Sequence, residues 1–267
     1  VSAAIGDTKD NTKPDVRRSK CVHTSQMDKY FDKGADINAK DSRGFTALMD
    51  AAWGGHTDKI TILIDEGATL HAKDNDGFTA LMMSASRGNV DITKALIDAG
   101  ADLEAKNKRG ESALFLAARY AEEGTLKLLV AAGAVVDTKS NLGITPLIEA
   151  SAKENARVAE LLIGEGADVN VRGNKNETAL KTAALNGRRA TLTLLLSKGA
   201  EREVKNITGD TALMVAVAQG HGDIVKVLIA EGAEVNTTNN QGDTPLSLAE
   251  AKGNKGIIKA LKGAGAK

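Results

Sequence analysis

Four histidines, one cysteine and a few acidic pairs are the groups in this 267-residue chain with types that could carry chemistry. A metal centre needs ligands at helix or turn spacing, and His23, His56, His71 and His221 show none. Cys21 has no histidine partner in a nucleophile pattern. As the only cysteine it forms no internal disulfide, which fits a reducing compartment without excluding export. Asp65-Glu66 and Glu122-Glu123 read as solvated pairs at helix ends rather than as an acid–base couple. The 27 glycines contain no G-x-x-x-x-G-K-[ST] string that would cradle a phosphate. Asn176-Glu177-Thr178, Asn206-Ile207-Thr208 and Asn236-Thr237-Thr238 match the glycosylation sequon, as chance matches in turns rich in Asn and Thr. No catalytic residue, metal ligand or cofactor is assigned, and the chain is read as not an enzyme.

The spacing that does recur is of another kind. Gly-Ala pairs begin at Gly34, Gly67, Gly100, Gly133, Gly166, Gly199, Gly232 and Gly265, always 33 residues apart. A hydroxyl residue, a small residue and leucine keep the same step: Thr46-Ala47-Leu48, Thr79-Ala80-Leu81, Ser112-Ala113-Leu114, Thr145-Pro146-Leu147, Thr178-Ala179-Leu180, Thr211-Ala212-Leu213 and Thr244-Pro245-Leu246. A fixed period of this length means stacked repeats rather than one globular core. The histidines then fall in different repeats and, on this reading, at different structural positions.

One period shows the physics. Gly34 follows an apolar helical stretch and is placed for a left-handed C-terminal cap. An extended polar segment from Ala35 to Gly44 comes next, with turn residues. Thr46 caps the next helix, its hydroxyl accepting from a free backbone N–H. That helix runs through Leu48, Ala51 and Ala52 and is broken by Gly54-Gly55. A second helix runs from about Thr57 to Asp65, with Ile60, Leu63 and Ile64 on one face. Leucine fills two columns without exception, the one at Leu48 and the one at Leu63 through Leu261, so both must point inward. The turn column reads Gly44, Gly77, Gly110, Gly143, Asn176, Gly209 and Gly242, and asparagine also tolerates the left-handed region.

These residues resemble the ankyrin-repeat family, in which a β-turn precedes two antiparallel helices with a T-P-L-H-x-A signature. The resemblance covers about residues 34–267 and implies an all-α solenoid of helix-turn-helix units with short β-turn fingers. Two departures stand out. Alanine replaces the proline in five of seven repeats, and Met49, Met82, Phe115, Ile148, Lys181, Met214 and Ser247 replace the histidine, so the family's Thr–His hydrogen bond loses its histidine here. Lys13 and Asp15 hold the places of Thr46 and Leu48, so residues 13–33, with Met27, Tyr30 and Phe31, are expected to form a degenerate N-terminal cap. Residues 1–12 are expected to be a flexible segment. Glu250, Lys252, Lys255, Lys259 and Lys262 give the last repeat a polar outer face.

Composition narrows the partners. Basic and acidic residues balance at 35 each, and aromatics make up 3%. Nucleic acid would require a basic excess with stacking aromatics in one groove, and no apolar run approaches a membrane span. The partner is therefore expected to be another folded protein, an enzyme among the candidates, with the free chain a monomer. A chain beginning at Val1 is compatible with a removed export signal, and the bacterial periplasm is favoured over the cytoplasm.

Stacked repeats at about 8–10 Å give a face of roughly 60–70 Å. In ankyrin-like proteins that face consists of turn tips and first helices. Candidate contacts there are aromatic and apolar: Phe45, Phe78, Trp53, Tyr120, Leu142 and Ile144. A basic row runs through Lys40, Lys73, Lys106, Lys139, Arg172 and Lys205, beside Arg43, Lys108, Arg109 and Lys175; it lines one edge, either solvated or steering an acidic partner. Arg87 and Arg119 join the set. Asp50, Met83, Glu149 and Thr182 share a variable column that is either tailored or tolerant. The expected function is a non-catalytic module that masks or inhibits its partner, in the manner of an immunity protein. A scaffold or host-directed effector joining two proteins remains open, as does an accessory subunit modulating an enzyme.

Overall fold

A computed structural model describes residues 36–267. The expected N-terminal cap at 13–33, the segment 1–12, Cys21, His23 and the first Gly-Ala pair lie outside the described residues. The rest is a stack of seven helical hairpins. The first helices are α1 (Ala47–Gly54), α3 (Ala80–Arg87), α5 (Ala113–Tyr120), α7 (Pro146–Ala150), α9 (Ala179–Leu185), α11 (Ala212–Gln219) and α13 (Pro245–Lys252). The second helices are α2 (Thr57–Asp65), α4 (Val90–Asp98), α6 (Glu123–Ala131), α8 (Arg157–Gly164), α10 (Arg189–Ser197), α12 (Gly222–Ala230) and α14 (Lys255–Gly263). First helices pack on first helices of the neighbouring repeats, second on second, and each pair on itself. No strand occurs among the described residues, and no helix there is long and apolar enough to cross a membrane.

The two leucine columns are the spine of this stack. Every member from Leu48 to Leu213 and from Leu63 to Leu261 is at most 1% exposed, and only the end residue Leu246 reaches 7%. Such helices are too short to hold in isolation, so their stability comes from neighbours. Each first helix is also started by its own hydroxyl. Thr46, Thr79, Ser112, Thr145, Thr178, Thr211 and Thr244 accept from the backbone N–H three residues on, at 3.1–3.4 Å. In the last repeat Ser247 returns the favour to the Thr244 N–H at 2.9 Å, closing a capping box at the signature histidine's position.

The hairpin turn shows what one substitution does. Six repeats place a left-handed residue after the first helix: Gly55, Gly88, Ala121, Gly187, Gly220 and Gly253. The fourth has Glu154 there, which does not adopt positive φ. Helix α7 instead ends after five residues, capped by Ser151 in right-handed geometry, and the chain reaches α8 through an irregular segment. A Cβ makes the left-handed conformation costly; Ala121 bears that cost, and at Glu154 the chain takes another path.

One sequence expectation changes. His56 and His221 occupy the same position, the residue before a second helix, five repeats apart. His221 Nε2 lies 3.0 Å from the Leu185 carbonyl of the preceding repeat. Asn89 and Arg188 make the same kind of contact, donating to Ala52 O and Ala152 O. At Asn89, Asn155, Arg188 and His221 this position ties one repeat to the one before, whereas Asn254 caps its own helix.

Candidate functional site

Ahead of each first helix the polar segment folds into a finger. Its geometry is set by a short side chain at the head. Asp41 Oδ1 accepts from the backbone N–H groups of Arg43 and Phe45, at 2.8 and 2.9 Å. Asp74, Asn107, Asn206 and Asn239 do the same in their own fingers. The turn brings the residue two positions later to the tip. At the first tip Arg43 also pairs with Asp41 at 2.8 Å. Burial would raise the Asp41 pKa, but the N–H groups of Phe45 and Arg43 and the Arg43 guanidinium hold it below the usual carboxylate range. The second finger has Asp76 at the tip instead, and burial, reinforced by that negative neighbour, lifts Asp74 above it.

Arginines stack on aromatic rings along the fingers and first helices. The guanidinium of Arg43 sits 4.3 Å from the Phe45 ring centre, Arg87 4.7 Å from Trp53, and Arg119 5.0 Å from Phe115. The Trp53–Arg87 pair bridges the first two repeats, because the tryptophan ends α1 and the arginine ends α3. Such contacts restrict both partners, leaving flat and partly exposed surface already in place. Phe45, Phe78, Trp53 and Tyr120 are half-buried and rest on the core.

A charged network joins the third and fourth repeats. Glu111 is only 2% exposed, yet it is well matched. Its carboxylate accepts from Asn107 Nδ2 at 2.8 Å, from Arg109 Nε at 3.1 Å and from Arg119 at 2.7 Å. Arg119 extends to Glu149 of the next repeat at 3.1 Å, and Lys153 approaches the same oxygen at 3.6 Å. Burial would lower the Arg119 pKa; Glu149 and then Glu111 more than reverse this and keep the guanidinium charged. A buried carboxylate with these partners fixes where Arg119 points.

The sequence-based candidates divide accordingly. Arg43, Phe45, Trp53, Arg87, Arg109, Arg119 and Tyr120 come together on the fingers and first helices of the first three repeats. Leu142 stands 67% exposed at the fourth finger tip, with Ile144 half-buried behind it. Phe78 lies at the base of the second finger against the core. Asp50 and Met83 are not open surface: they are 7% and 2% exposed, because the first helices pack side by side and this position falls in the seam. The basic row is spoken for. Lys40, Lys73, Lys106, Lys139 and Lys205 each donate to the backbone carbonyl of the residue one period later, at 2.8–3.3 Å. Arg172 pairs with Glu201 at 2.7 Å.

Two residues of the site escaped the sequence reading. Glu111 occupies the position held by Phe45 and Phe78, which was the available signal that this repeat departs from its neighbours. Lys153 follows the Tyr120 position by one repeat, and nothing in its type distinguished it from a solvated lysine. Among the described residues no group of three or more His, Cys, Asp or Glu side chains is placed to hold a metal ion.

A family model described as "Ankyrin repeats (3 copies)" matches residues 20–107, 67–140, 114–206 and 180–267, which together take in most of the chain. No curated protein matches it.

Proposed function

The chain belongs to the ankyrin-repeat family and is a protein–protein interaction module, and from that premise we propose that it binds and masks one folded partner. Ankyrin-repeat proteins are generally non-catalytic modules of this kind. The contact face consists of the fingers and first helices of repeats one to four. Its anchors are Trp53, Tyr120, Phe45 and Leu142, with Arg43, Arg87, Arg109 and Arg119 around them. Lys40 and Ile144 flank them, and Phe78 supports them from the core side.

The observation that carries this reading is the confinement of aromatic residues. Every aromatic of the chain precedes residue 121, and the described ones are Phe45, Trp53, Phe78, Phe115 and Tyr120. Phe115 is buried in the core, but the leucine spine is continuous through all seven repeats without Phe45, Trp53, Phe78 or Tyr120, so the fold itself does not demand these four. Aromatic and arginine side chains dominate interface energy when they are central and preorganised. Here rings, guanidiniums and a buried carboxylate hold one another before any partner arrives, which lowers the ordering cost of binding.

The test is capture from the cells that produce the chain, followed by titration of whatever activity the captured protein has. Masking requires that activity to vanish at one-to-one stoichiometry. Activity that is untouched or raised sinks masking and leaves an accessory role. Two proteins captured together on separable surfaces point to a scaffold.

A further inference from the structure

Consecutive fingers are laced to one another at five of their six junctions. A backbone rung joins each pair of tips: Asn75 N–H to Arg43 O, Lys108 to Asp76, Asn141 to Arg109, Asn174 to Leu142 and Asn240 to Thr208, at 2.9–3.0 Å. Four of these junctions add a side-chain rung from Asn75, Asn141, Asn174 or Asn240. All five carry the lysine link one period long.

The junction between the fifth and sixth fingers has none of the three. Each loss traces to one residue. Ile207 holds the place of the rung asparagines and has no side-chain donor. Arg172 holds the place of the linking lysines and turns to Glu201. Asn176 holds the place of the tip glycine, with φ of 57°. At the other tips a Cβ would meet the next finger at 2.8 Å from Gly44, 3.0 Å from Gly77, 2.3 Å from Gly110, 2.4 Å from Gly143 and 2.5 Å from Gly209. Asn176 carries such a Cβ, so its neighbour cannot close to rung distance. Beside this junction lies a shallow, open depression lined by Arg172, Glu201, Arg202, Glu203, Val204 and Lys205.

The fifth finger is irregular in its own right. Gly173 replaces the head residue, and Glu177 substitutes for it by accepting from Lys175 N–H at 2.8 Å. Lys181 reaches back from α9 to the Asn176 carbonyl. What still joins the fifth and sixth repeats is helix packing, the His221 contact to Leu185 O, the Asn170 bonds to Gly199 O and Glu201 N–H, and the exposed Arg172–Glu201 ion pair.

In a one-dimensional stack, stability is the sum of repeat terms and nearest-neighbour terms, so the stack parts at its weakest junction. We propose that the missing laces divide this chain into two cooperative units, repeats one to five and repeats six and seven, and that the last two open together as a block. The block spans α11 to α14, and the aromatic face belongs entirely to the other unit.

Native-state hydrogen exchange on the full chain tests this, with the double variant Asn176→Gly/Ile207→Asn as the repair. Both substitutions restore residues that other fingers already use. Amides of α11–α14 should share one opening rate, roughly 10–100-fold faster than those of α3–α6, with a step at the junction. The repair should slow the block by about tenfold and leave α3–α6 unchanged. Rates that grade smoothly from the C-terminal end overturn the proposal. So does a step located at the irregular fourth repeat, or a step that the repair does not move.

Discussion

Repeats one to four and repeats five to seven share one frame and use their side chains differently. The first group carries the rings, the stacked arginines and the network around Glu111. The second has no aromatic residue and spends polar groups on its own irregularities, most visibly Lys181 under the fifth finger. The leucine spine and hydroxyl caps are the same in both. Whatever distinguishes the halves is therefore extra to folding, and that is where function and local instability are to be sought.

Breaking what the halves share should cost most. Leu129→Ala, in the shared spine, is expected to lower stability by about 2–5 kcal/mol in urea melts. A loss below about 1 kcal/mol would mean that the column is not the core.

Trp53→Ala with Tyr120→Ala attacks what only the first group has. Binding to the captured partner should weaken by about 2–4 kcal/mol, with far-UV helicity preserved. Unchanged affinity would remove both residues as anchors. The equivalent positions of the sixth repeat, Ala218 and Gln219, offer a control: Gln219→Ala should leave binding alone.

Lys181→Met sharpens the comparison from the other side, because it should stabilise. Lys181 is 5% exposed, and burial pulls its pKa from 10.5 down to about 8, with Glu177 and Asp210 opposing the shift and Arg172 adding to it. Methionine already fills this column at Met49, Met82 and Met214, each at most 1% exposed. The shift is worth roughly 3 kcal/mol, and the lost bond to Asn176 O about 1 kcal/mol, so the variant should gain about 2 kcal/mol at pH 7. The sign with pH follows from proton counts. Between pH 8 and 10.5 the unfolded chain holds a proton on this lysine that the folded chain has released, so the parent's stability rises with pH. The gap between variant and parent should then shrink across that window. A gap that is constant from pH 7 to 10 breaks the account.

The smallest effect is expected from one finger lace. Lys73→Met removes a solvent-exposed bond to Lys106 O and should cost about 0.5–1 kcal/mol. The same change at Arg172 removes no such carbonyl bond, only the exposed ion pair to Glu201, and should cost less still.

Much of the frame was legible in the sequence because it depends on residue type at fixed spacing. Leucine columns, hydroxyl caps and the left-handed turn need one residue each, and Asn176 was read correctly as a turn residue from the glycines around it. Groups whose role depends on a neighbour one period away were harder to read. The lysine row looked like a charged edge, yet its ammonium groups reach the next finger's carbonyls, and spacing alone does not say where a four-carbon chain ends. Asp50 and Met83 read as surface, tailored or tolerant, because their column varies, but variation is also what a seam between small helices permits. Glu111 stands out in its column, but its partners do not: Arg109 and Arg119 face it only after the finger has turned back on the helix.

Every side-chain lace between fingers spans one whole period, from residue n to residue n + 33 or back, and every backbone rung spans 32 residues. The stack is thus editable by length: a block cut out or copied at the Gly-Ala seams leaves every remaining finger in register with its new neighbour. Excising residues 199–231 is the telling edit. It would carry Asn240 into the seat of Ile207, so that, with Asn176→Gly to clear the tip, a shorter chain would be better sewn at its fifth finger than its parent.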